Sequence, residues 1–428
     1  MTSTETAAKG GAAWNVLGGR GGRRSTTSTV RLAPDPEPRE RIWPIFSVDD
    51  HVIEPPHMFE GRIPARFAEV APRIVEEDDG SQVWRIADRT MKTIGLSAVA
   101  GRADDDWSTD PTRFDEMRPG CWNPRERIRD MDIAGIVASV CFPSALPGFA
   151  GRAFTTMKDP DFAMALVRAW NDWMIDEWVA EAPDRFVGIQ LPCLLDPHVA
   201  GEEIRRNAER GFKAVTFTEN PVMQRLPSLH TEHWDPFFAA CAETGTVVCL
   251  HSGSSGWTPV VAQDAPVSLY TTTFMLNAMA SAAEWVWSGV PARFPDLRVA
   301  LSEGGLSWVP ALVERLDYVT DHSLKATKHD WPYELRPAEV LLRNFWFCGI
   351  HDPAGIALRD RIGVDHMMLE TDYPHGDSTW PDCQSVIEDL VADIPVDDAA
   401  ALCFRTAAEL FRHDPGIVPG EWAGLAGR

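Results

Sequence analysis

Two segments of the sequence place aspartate and histidine where they could bind one metal ion. Asp49 and His51 lie two residues apart in an extended segment, so both side chains can point to the same side of the chain. His251 ends the apolar run 247–250 and precedes a Gly/Ser-rich segment, 252–256, that would let a ligand approach the backbone. Each segment alone has an ordinary interpretation, because Asp49 can cap a turn and His251 can be a core histidine.

Two further segments add carboxylates and another imidazole. Asp372 and His375 follow one apolar run, and Glu303 follows another. Glu303 could be a metal ligand, a base, or the N-cap partner of a helix predicted for residues 307–316. Oxygen and imidazole ligands at the ends of several separate runs favour one shared metal site over a series of unrelated caps.

The runs that carry these residues belong to a repeating pattern of short β-rich segments and longer helical segments. This alternation predicts parallel strands joined by crossover helices. Eight such runs predict a (β/α)₈ TIM barrel, in which catalytic groups lie at the carboxyl ends of the strands. The predicted strands cover residues 42–48, 136–142, 186–191, 214–217, 246–250, 298–302, 345–347 and 366–369.

Several additions to this barrel are also predicted. Residues 1–40 are rich in Gly, Ser, Thr and Arg and are expected to be a disordered extension. The metal-dependent barrel is expected over residues 41–415, with an insertion at 57–125 that folds over its mouth. Terminal helices are expected within residues 382–411, followed by a tail at 416–428.

Charge and composition exclude some classes of partner. The 428 residues include 63 acidic and 40 basic side chains, a formal net charge of -23, which repels nucleic acids and anionic membranes. No apolar run approaches the roughly 18 residues of a membrane span. The eight cysteines include no CxxC pair, and no apolar segment follows Arg23-Arg24 as an export signal requires. We therefore expect reduced thiols and a cytoplasmic location.

The order of the motifs resembles that of the amidohydrolase-related family, which includes aminocarboxymuconate semialdehyde decarboxylase and the resorcylate and carboxyvanillate decarboxylases. The resemblance extends over nearly all of residues 42–412. Besides the four segments above, it rests on Arg129-Asp130-Met131-Asp132, Arg185-Phe186-Val187-Gly188, Gly211-Phe212-Lys213-Ala214-Val215, Arg293-Phe294-Pro295-Asp296-Leu297 and Thr371-Asp372-Tyr373-Pro374.

This resemblance implies a ligand set for one divalent ion. The implied ligands are Asp49, His51, His251 and Asp372. Asp-x-His in place of the common His-x-His resembles the acidic-x-His variant of the resorcylate decarboxylases. Glu303 stands where many members have a histidine, so the family's proton transfer cannot be carried over unchanged. The predicted catalytic residues are Asp372, Glu303 and His375, and His375 is the candidate to replace the missing imidazole.

Mixed nitrogen and oxygen ligation suits zinc, which is our first expectation, or manganese. The resemblance implies non-oxidative decarboxylation of an aromatic or unsaturated carboxylic acid. The alternatives are a hydrolase that attacks an amide, lactone or C–C bond with metal-activated water, and a non-catalytic ligand-binding barrel. Trp257 and Trp380 could form an apolar wall for a flat substrate or be core residues. The resemblance also suggests a homodimer.

Overall fold

The computed structural model describes residues 30–103, 110–259, 262, 264–323 and 330–417. Its centre is a barrel of parallel strands in which neighbours along the chain are neighbours in space. Each strand position around the barrel is called a stave. Gly188 divides the third stave into two short strands, β6 and β7, so the eight staves contain nine strands. They are β1 (Ile45–His51), β5 (Ile136–Phe142), β6 (Phe186–Val187), β7 (Ile189–Gln190), β8 (Ala214–Phe217), β9 (Val247–His251), β10 (Val299–Ser302), β11 (Phe345–Gly349) and β12 (Met367–Leu369).

Backbone hydrogen bonds join the first stave to the segment that follows the last one. The N–H of His51 donates to the carbonyl of Tyr373 at 2.7 Å, and the N–H of Asp372 donates to the carbonyl of Asp49 at 2.8 Å. All residues of β1 are buried, as expected for a stave covered on both faces. The predicted (β/α)₈ barrel is therefore confirmed.

Two predicted strand ends differ from the structure in a way that matters for the site. β1 extends to His51 rather than ending at residue 48, because it continues to pair with β5 as far as His51 and Phe142. β9 likewise includes His251, which pairs with Ser302. The two histidines are thus fixed by strand pairing and do not belong to loops.

Helices cover the outside of the barrel, and several begin with the same local arrangement. Asn123, Asp159 and Asp196 each accept hydrogen bonds from backbone N–H groups of the first helical turn, and proline follows each of them. The longer helices are α1 (Pro124–Ala134), α3 (Pro160–Trp173), α4 (Pro197–Glu209), α5 (Asp235–Thr244), α7 (Phe274–Trp287), α9 (Val309–His322), α10 (Pro337–Asn344) and α13 (Cys383–Val391). The shorter ones are α2 (Arg152–Thr155), α6 (Val267–Thr272), α8 (Val290–Arg293), α11 (Pro353–Ala357), α12 (Arg359–Ile362), α14 (Val396–Ala400) and α15 (Thr406–Phe411), and π-helical turns at Met174–Val179 and Ala401–Arg405 extend α3 and α14. Within the described residues, no helix has both the length and the apolar character needed to cross a membrane.

The predicted insertion between the first two staves contains a small antiparallel sheet. Its strands are β2 (Arg73–Glu76), β3 (Gln82–Ile86) and β4 (Arg89–Met91). Further along the insertion, the N–H groups of Val99 and Ala100 donate to the carbonyl of Pro374 at 3.0 and 3.1 Å. The insertion therefore contacts the loop that follows β12, which supports the proposal that it covers the barrel mouth. The acidic residues at 104–106 lie outside the described residues.

Residues 30–40, at the end of the predicted N-terminal extension, contact the insertion. The N–H of Ala33 donates to the carbonyl of Gly101 at 2.8 Å, and Asp35 forms an ion pair with Arg118 at 3.0 Å. These partners belong to the insertion, so tertiary contacts hold a segment that has no apolar periodicity of its own. Residues 1–29, and residues 418–428 of the predicted tail, lie outside the described residues.

Terminal helices follow β12, as predicted, and Gln384 of α13 links them to the chain that enters β1. Its side-chain oxygen accepts hydrogen bonds from the N–H groups of Ile42 and Trp43 at 2.8 and 3.0 Å. Its amide nitrogen donates to the carbonyl of Trp43 at 2.9 Å. Gln384 is 3% exposed, so water cannot replace these bonds.

We predict that Gln384→Ala lowers the free energy of unfolding by about 3 kcal/mol, because it leaves buried backbone groups without partners. Urea denaturation of the purified protein measures this change. The neighbouring exposed residue provides a control, Ser385→Ala, which should differ little from the wild type. Equal stability of the two variants would contradict the structural role given to Gln384.

Candidate metal centre

Four predicted ligands converge at the carboxyl ends of the staves. His51 Nε2 lies 3.1 Å from His251 Nε2 and 3.4 Å from Asp372 Oδ1. Asp49 approaches both rings, with Oδ1 3.6 Å from His51 Nε2 and Oδ2 3.5 Å from His251 Nε2. All four side chains are at most 1% exposed. β1 supplies two of these groups, β9 supplies one and the segment after β12 supplies the fourth, so residues far apart in the chain form one cluster.

The other nitrogen of each imidazole determines what the facing nitrogens can do. His51 Nδ1 lies 3.3 Å from the carbonyl of Pro143, and His251 Nδ1 lies 2.8 Å from the carbonyl of Ser252. Because a carbonyl only accepts, both Nδ1 atoms carry the proton and both Nε2 atoms present lone pairs. Two lone pairs at 3.1 Å repel each other unless a cation lies beside them. Histidine ligands of metals commonly donate their second nitrogen to a carbonyl in this way.

Asp49 gives the second indication of a cation. Neither of its carboxylate oxygens has a hydrogen-bond partner within the described residues. Burial raises the pKa of Asp49 well above its usual value, and the charges of Glu370, Glu303 and Asp50 raise it further. An unpaired buried carboxylate is strongly unfavourable, and a bound divalent ion removes that cost. The spacing also fits, since two nitrogens each about 2.0–2.1 Å from zinc are about 3–3.4 Å apart.

His375 lies beside this cluster and pairs with Asp372. Its Nδ1 is 2.9 Å from Asp372 Oδ1 and 3.1 Å from Oδ2, so it donates to the carboxylate. Its ring centroid is 4.0 Å from that of His51, and its Nε2 has no partner within the described residues. Burial lowers the pKa of His375 to about 4. His375 therefore occupies the position that the sequence assigned to it, next to the predicted ligands.

Glu303 belongs to the site and does not cap the following helix. Its Oε2 lies 3.6 Å from His251 Nδ1, and it can share a cation with Asp372 and Asp377. The backbone N–H groups of Leu306 and Ser307, just before α9, donate to Asp352 Oδ2 at 2.6 and 2.9 Å. The N-cap alternative is thus wrong, because a carboxylate from the loop after β11 reaches the helix start.

Both Glu303 and Asp372 have left-handed backbone conformations, with φ of 55° and 51°. Non-glycine residues rarely adopt this region, and it costs about 1–3 kcal/mol. Glu370 holds one of them in place, since its Oε2 accepts a hydrogen bond from the Glu303 N–H at 3.0 Å. The two carboxylates are directed into the site at a cost in local stability.

Sequence reasoning missed two residues that shape this site. The ring of Phe149, from the loop after β5, lies 4.1 Å from the His251 ring and 4.9 Å from the His51 ring between centroids. Arg127 of α1 is buried and donates to the carbonyl of His51 at 2.5 Å. Neither has a local sequence signal, because one is among 19 phenylalanines and the other is among the charged residues of a helix.

Of the two alternatives left open for Trp257 and Trp380, the structure favours a core residue for Trp380. That ring is buried against Tyr373 and Arg118, and its Nε1 donates to the carbonyl of Asp130 at 2.9 Å. Trp257 is 37% exposed and follows the β9 loop. Its role as a pocket wall stays a prediction.

Comparison with known proteins identifies the family. The family model described as amidohydrolase matches residues 61–413. The chain belongs to the amidohydrolase family. His251, Glu303, Asp372 and His375 lie within the match, whereas the β1 pair of this amidohydrolase precedes it. The resemblance drawn from the motifs is confirmed.

Three proteins illustrate what this amidohydrolase is similar to. Gamma-resorcylate decarboxylase of Rhodococcus jostii (strain RHA1) is 25% identical in an alignment of 262 residues that covers 55% of this chain and 75% of the relative. The structure of an amidohydrolase from Mycobacterium avium subsp. paratuberculosis K-10 has a TM-score of 0.68 at 23% identity, covering 86% of this chain and 99% of the other. A dihydroxybenzoic acid decarboxylase from Polaromonas sp. JS666, with bound manganese and the inhibitor 2-nitroresorcinol, has a TM-score of 0.58 at 17% identity and coverage of 86% and 97%.

We predict that the protein binds about one divalent ion per chain and that Asp49→Asn and His251→Ala weaken this binding by more than about 100-fold, because each removes a ligand. Metal content after dialysis against manganese or zinc, measured by plasma mass spectrometry, checks this. His230→Ala, at an exposed histidine, should retain the ion. Full metal content in folded ligand variants would show that the cluster does not hold the metal.

A pH dependence is expected from Glu54, three residues after His51. Its Oε1 accepts hydrogen bonds from the Ser144 N–H and Trp170 Nε1, and Oε2 has no partner within the described residues. Burial raises the pKa of Glu54 from 4.5 to about 7. Between these values the unfolded chain ionises while the folded protein keeps the proton, so the wild type loses stability as pH rises.

Glu54→Gln cannot ionise, so its free energy of unfolding relative to the wild type should increase by about 2 kcal/mol between pH 5 and pH 8. Urea denaturation at both pH values in the same manganese buffer measures this difference. Glu60→Gln, at an exposed carboxyl of the same segment, should follow the wild type at both pH values. A Glu54→Gln difference that does not change with pH would show that Glu54 is ionised in the folded protein.

Proposed function

We propose that this amidohydrolase is a metal-dependent, non-oxidative decarboxylase of an aromatic or unsaturated carboxylic acid. The observation that carries the proposal is the facing pair of imidazole lone pairs beside the unpaired carboxylate of Asp49. This arrangement supports a bound divalent ion. The names of the Rhodococcus and Polaromonas relatives, which act on resorcylate and dihydroxybenzoic acid, support the reaction and the substrate class.

Asp49, His51, His251 and Asp372 would hold the ion. When bound, it supplies a Lewis acid that attracts the substrate carboxylate and a neighbouring oxygen and stabilises the charge left after carbon dioxide leaves. The ligand set suits zinc or manganese. Manganese in the Polaromonas relative makes it the first ion to test, and nothing in the comparisons favours the zinc that we expected from the sequence.

The chain's own groups provide binding and proton delivery. Phe149 covers the two histidine rings, so a flat substrate above them would lie against an apolar surface shielded from water. Decarboxylation replaces a C–C bond with a C–H bond, so one proton must reach the carbon that loses carbon dioxide. The Asp372–His375 pair can carry that proton: His375 Nδ1 donates to Asp372, so the lone pair on Nε2 can take up a proton from solvent and pass it to the substrate.

Glu303 is the proposed second proton-handling group. Burial raises its pKa well above the usual value, and the charges of Asp377, Glu370 and Glu219 raise it further. Its left-handed backbone and the hydrogen bond from its N–H to Glu370 fix its direction. It lies beside His251, at the position where many family members have a histidine, so it can exchange a proton with the substrate on that side.

The cellular setting is part of the same proposal. All eight cysteines are buried and unpaired, which supports reduced thiols and a cytoplasmic location. A small carboxylic acid is the proposed partner, and the homodimer suggested by the resemblance stays a proposal.

We predict that the manganese-loaded protein releases carbon dioxide from gamma-resorcylate or a related hydroxybenzoic acid. Asp372→Asn and His375→Gln should lower kcat by about 10²–10⁴-fold, because each removes a proton-handling group. Coupled carbon dioxide detection and chromatography of the aromatic product provide the measurements. His230→Ala should retain wild-type activity.

The same assay separates decarboxylation from hydrolysis. If the acids remain unchanged while amide, lactone or C–C substrates are cleaved with uptake of water, the hydrolase alternative is correct. If the metal-loaded protein binds acids but converts none of these substrates, the non-catalytic barrel is correct.

A further inference from the structure

Three buried side chains next to the metal centre share an unusual pattern of hydrogen bonds. Glu219, Gln224 and Asn277 each use one terminal atom to hold the loop that follows β9. Glu219 Oε2 accepts from the Ser255 hydroxyl at 3.1 Å and from its N–H at 3.3 Å. Gln224 Nε2 donates to the carbonyl of residue 254, and Asn277 Nδ2 donates to the carbonyl of Trp257 at 3.0 Å.

The second terminal atom of each side chain has no partner within the described residues. These atoms are Glu219 Oε1, Gln224 Oε1 and Asn277 Oδ1. The amide orientations are fixed, because a carbonyl must face the nitrogen of each amide. The side chains are buried, with residue exposures of 3%, 7% and 2%. Three acceptor oxygens are therefore withdrawn from water without a donor, which is unfavourable unless a ligand supplies one.

This acceptor cluster, defined as Glu219, Gln224 and Asn277, lies at the same end of the barrel as the metal centre. β8 pairs with β9 up to Leu250, the residue before His251, and Glu219 is the second residue after β8. α7 carries Asn277 and packs closely at residue 278 on Gly304, next to Glu303. The charge of Glu219 also raises the pKa of Glu303, which places the two carboxylates near each other.

The three free atoms have one chemistry in common. All are oxygens that accept hydrogen bonds, and the amide donors of Gln224 and Asn277 already hold the loop. A carboxylate or phosphate group would be repelled here, whereas a hydroxyl or amino group would be bound. Such a site excludes a methyl group of similar size, because the acceptors would stay unpaired.

We propose that the acceptor cluster binds a hydroxyl or amino substituent of the substrate, on the part of the molecule away from the reacting carboxylate, and thereby selects substrates that carry one. Glu219, Gln224 and Asn277 are then specificity-determining residues, separate from the predicted metal ligands. This inference rests on the proposed function, since it assumes that an acid is bound at the metal centre.

Calorimetric titration of the manganese-loaded protein tests the inference. The probes are benzoate, 3- and 4-hydroxybenzoate, 3- and 4-aminobenzoate, and 3- and 4-methylbenzoate as controls of similar size. At least one hydroxyl or amino acid should bind about tenfold or more tightly than the methyl acid substituted at the same position.

Glu219→Gln provides the decisive variant. Its amide oxygen can still accept from Ser255, while its NH₂ group places donors where Oε1 lies. The preference for donor substituents over methyl groups should fall about tenfold or more. Gln224→Met removes another acceptor and should act in the same direction. The control Ser281→Ala loses a bond to the Glu219 carbonyl without changing the acceptors, so it should keep the preference.

Each result decides between the two proposals. If the acids bind and are decarboxylated but methyl and hydroxyl forms bind equally, this inference is wrong and the proposed function stands. A donor preference that survives in both folded variants would also overturn it. If no aromatic acid binds the metal-loaded protein, the proposed substrate class fails and the inference fails with it.

Discussion

The seam between the first and last staves of the barrel is the constraint on which the rest of the site depends. Asp50 is its central group. Its Oδ1 accepts hydrogen bonds from Ser47 Oγ at 3.0 Å, Thr371 Oγ1 at 2.7 Å and the Tyr373 N–H at 3.0 Å, and its Oδ2 accepts from Ser139. Asp49 directly precedes Asp50, and Asp372 lies between Thr371 and Tyr373. The hydrogen bonds of Asp50 therefore set the distance between the predicted ligands Asp49 and Asp372. A carboxylate outside the predicted ligand set thus positions two carboxylates within it.

The electrostatics of the cluster are consistent with a cation at its centre. Burial raises the pKa of Asp49, Glu303, Glu370 and Asp372, and it lowers the pKa of the histidines, including His251 to about 3. Both groups are therefore driven towards their neutral forms. A divalent ion reverses this for the carboxylates and uses the lone pairs of the neutral imidazoles. Burial also raises the pKa of Asp50, and the buried positive charge of Arg127 opposes this rise.

The side chains at the carboxyl ends of the barrel strands are held in place in different ways. The predicted ligands His51 and His251 lie in strands whose pairing fixes them. Glu303 and Asp372 lie just after strands, in left-handed conformations that surrounding hydrogen bonds maintain. The acceptor cluster lies further out, where one half of each side chain stabilises a loop and the other half is left for a ligand.

The sequence by itself determined the staves, the fold and the identity of the candidate ligands, because apolar runs and the polar residues at their ends depend on local spacing. It also identified His375 as a neighbour of the site. It could not determine that Glu303 faces the site while Asp352 serves the helix, since both are acidic residues after strands and only their relative positions distinguish them. Phe149, Arg127 and the acceptor cluster were likewise decided by the tertiary structure, which brings together loops that have no periodicity. The contacts of residues 30–40 with the insertion were also decided by the tertiary structure, because a composition-based prediction contains no information about contacts between distant segments.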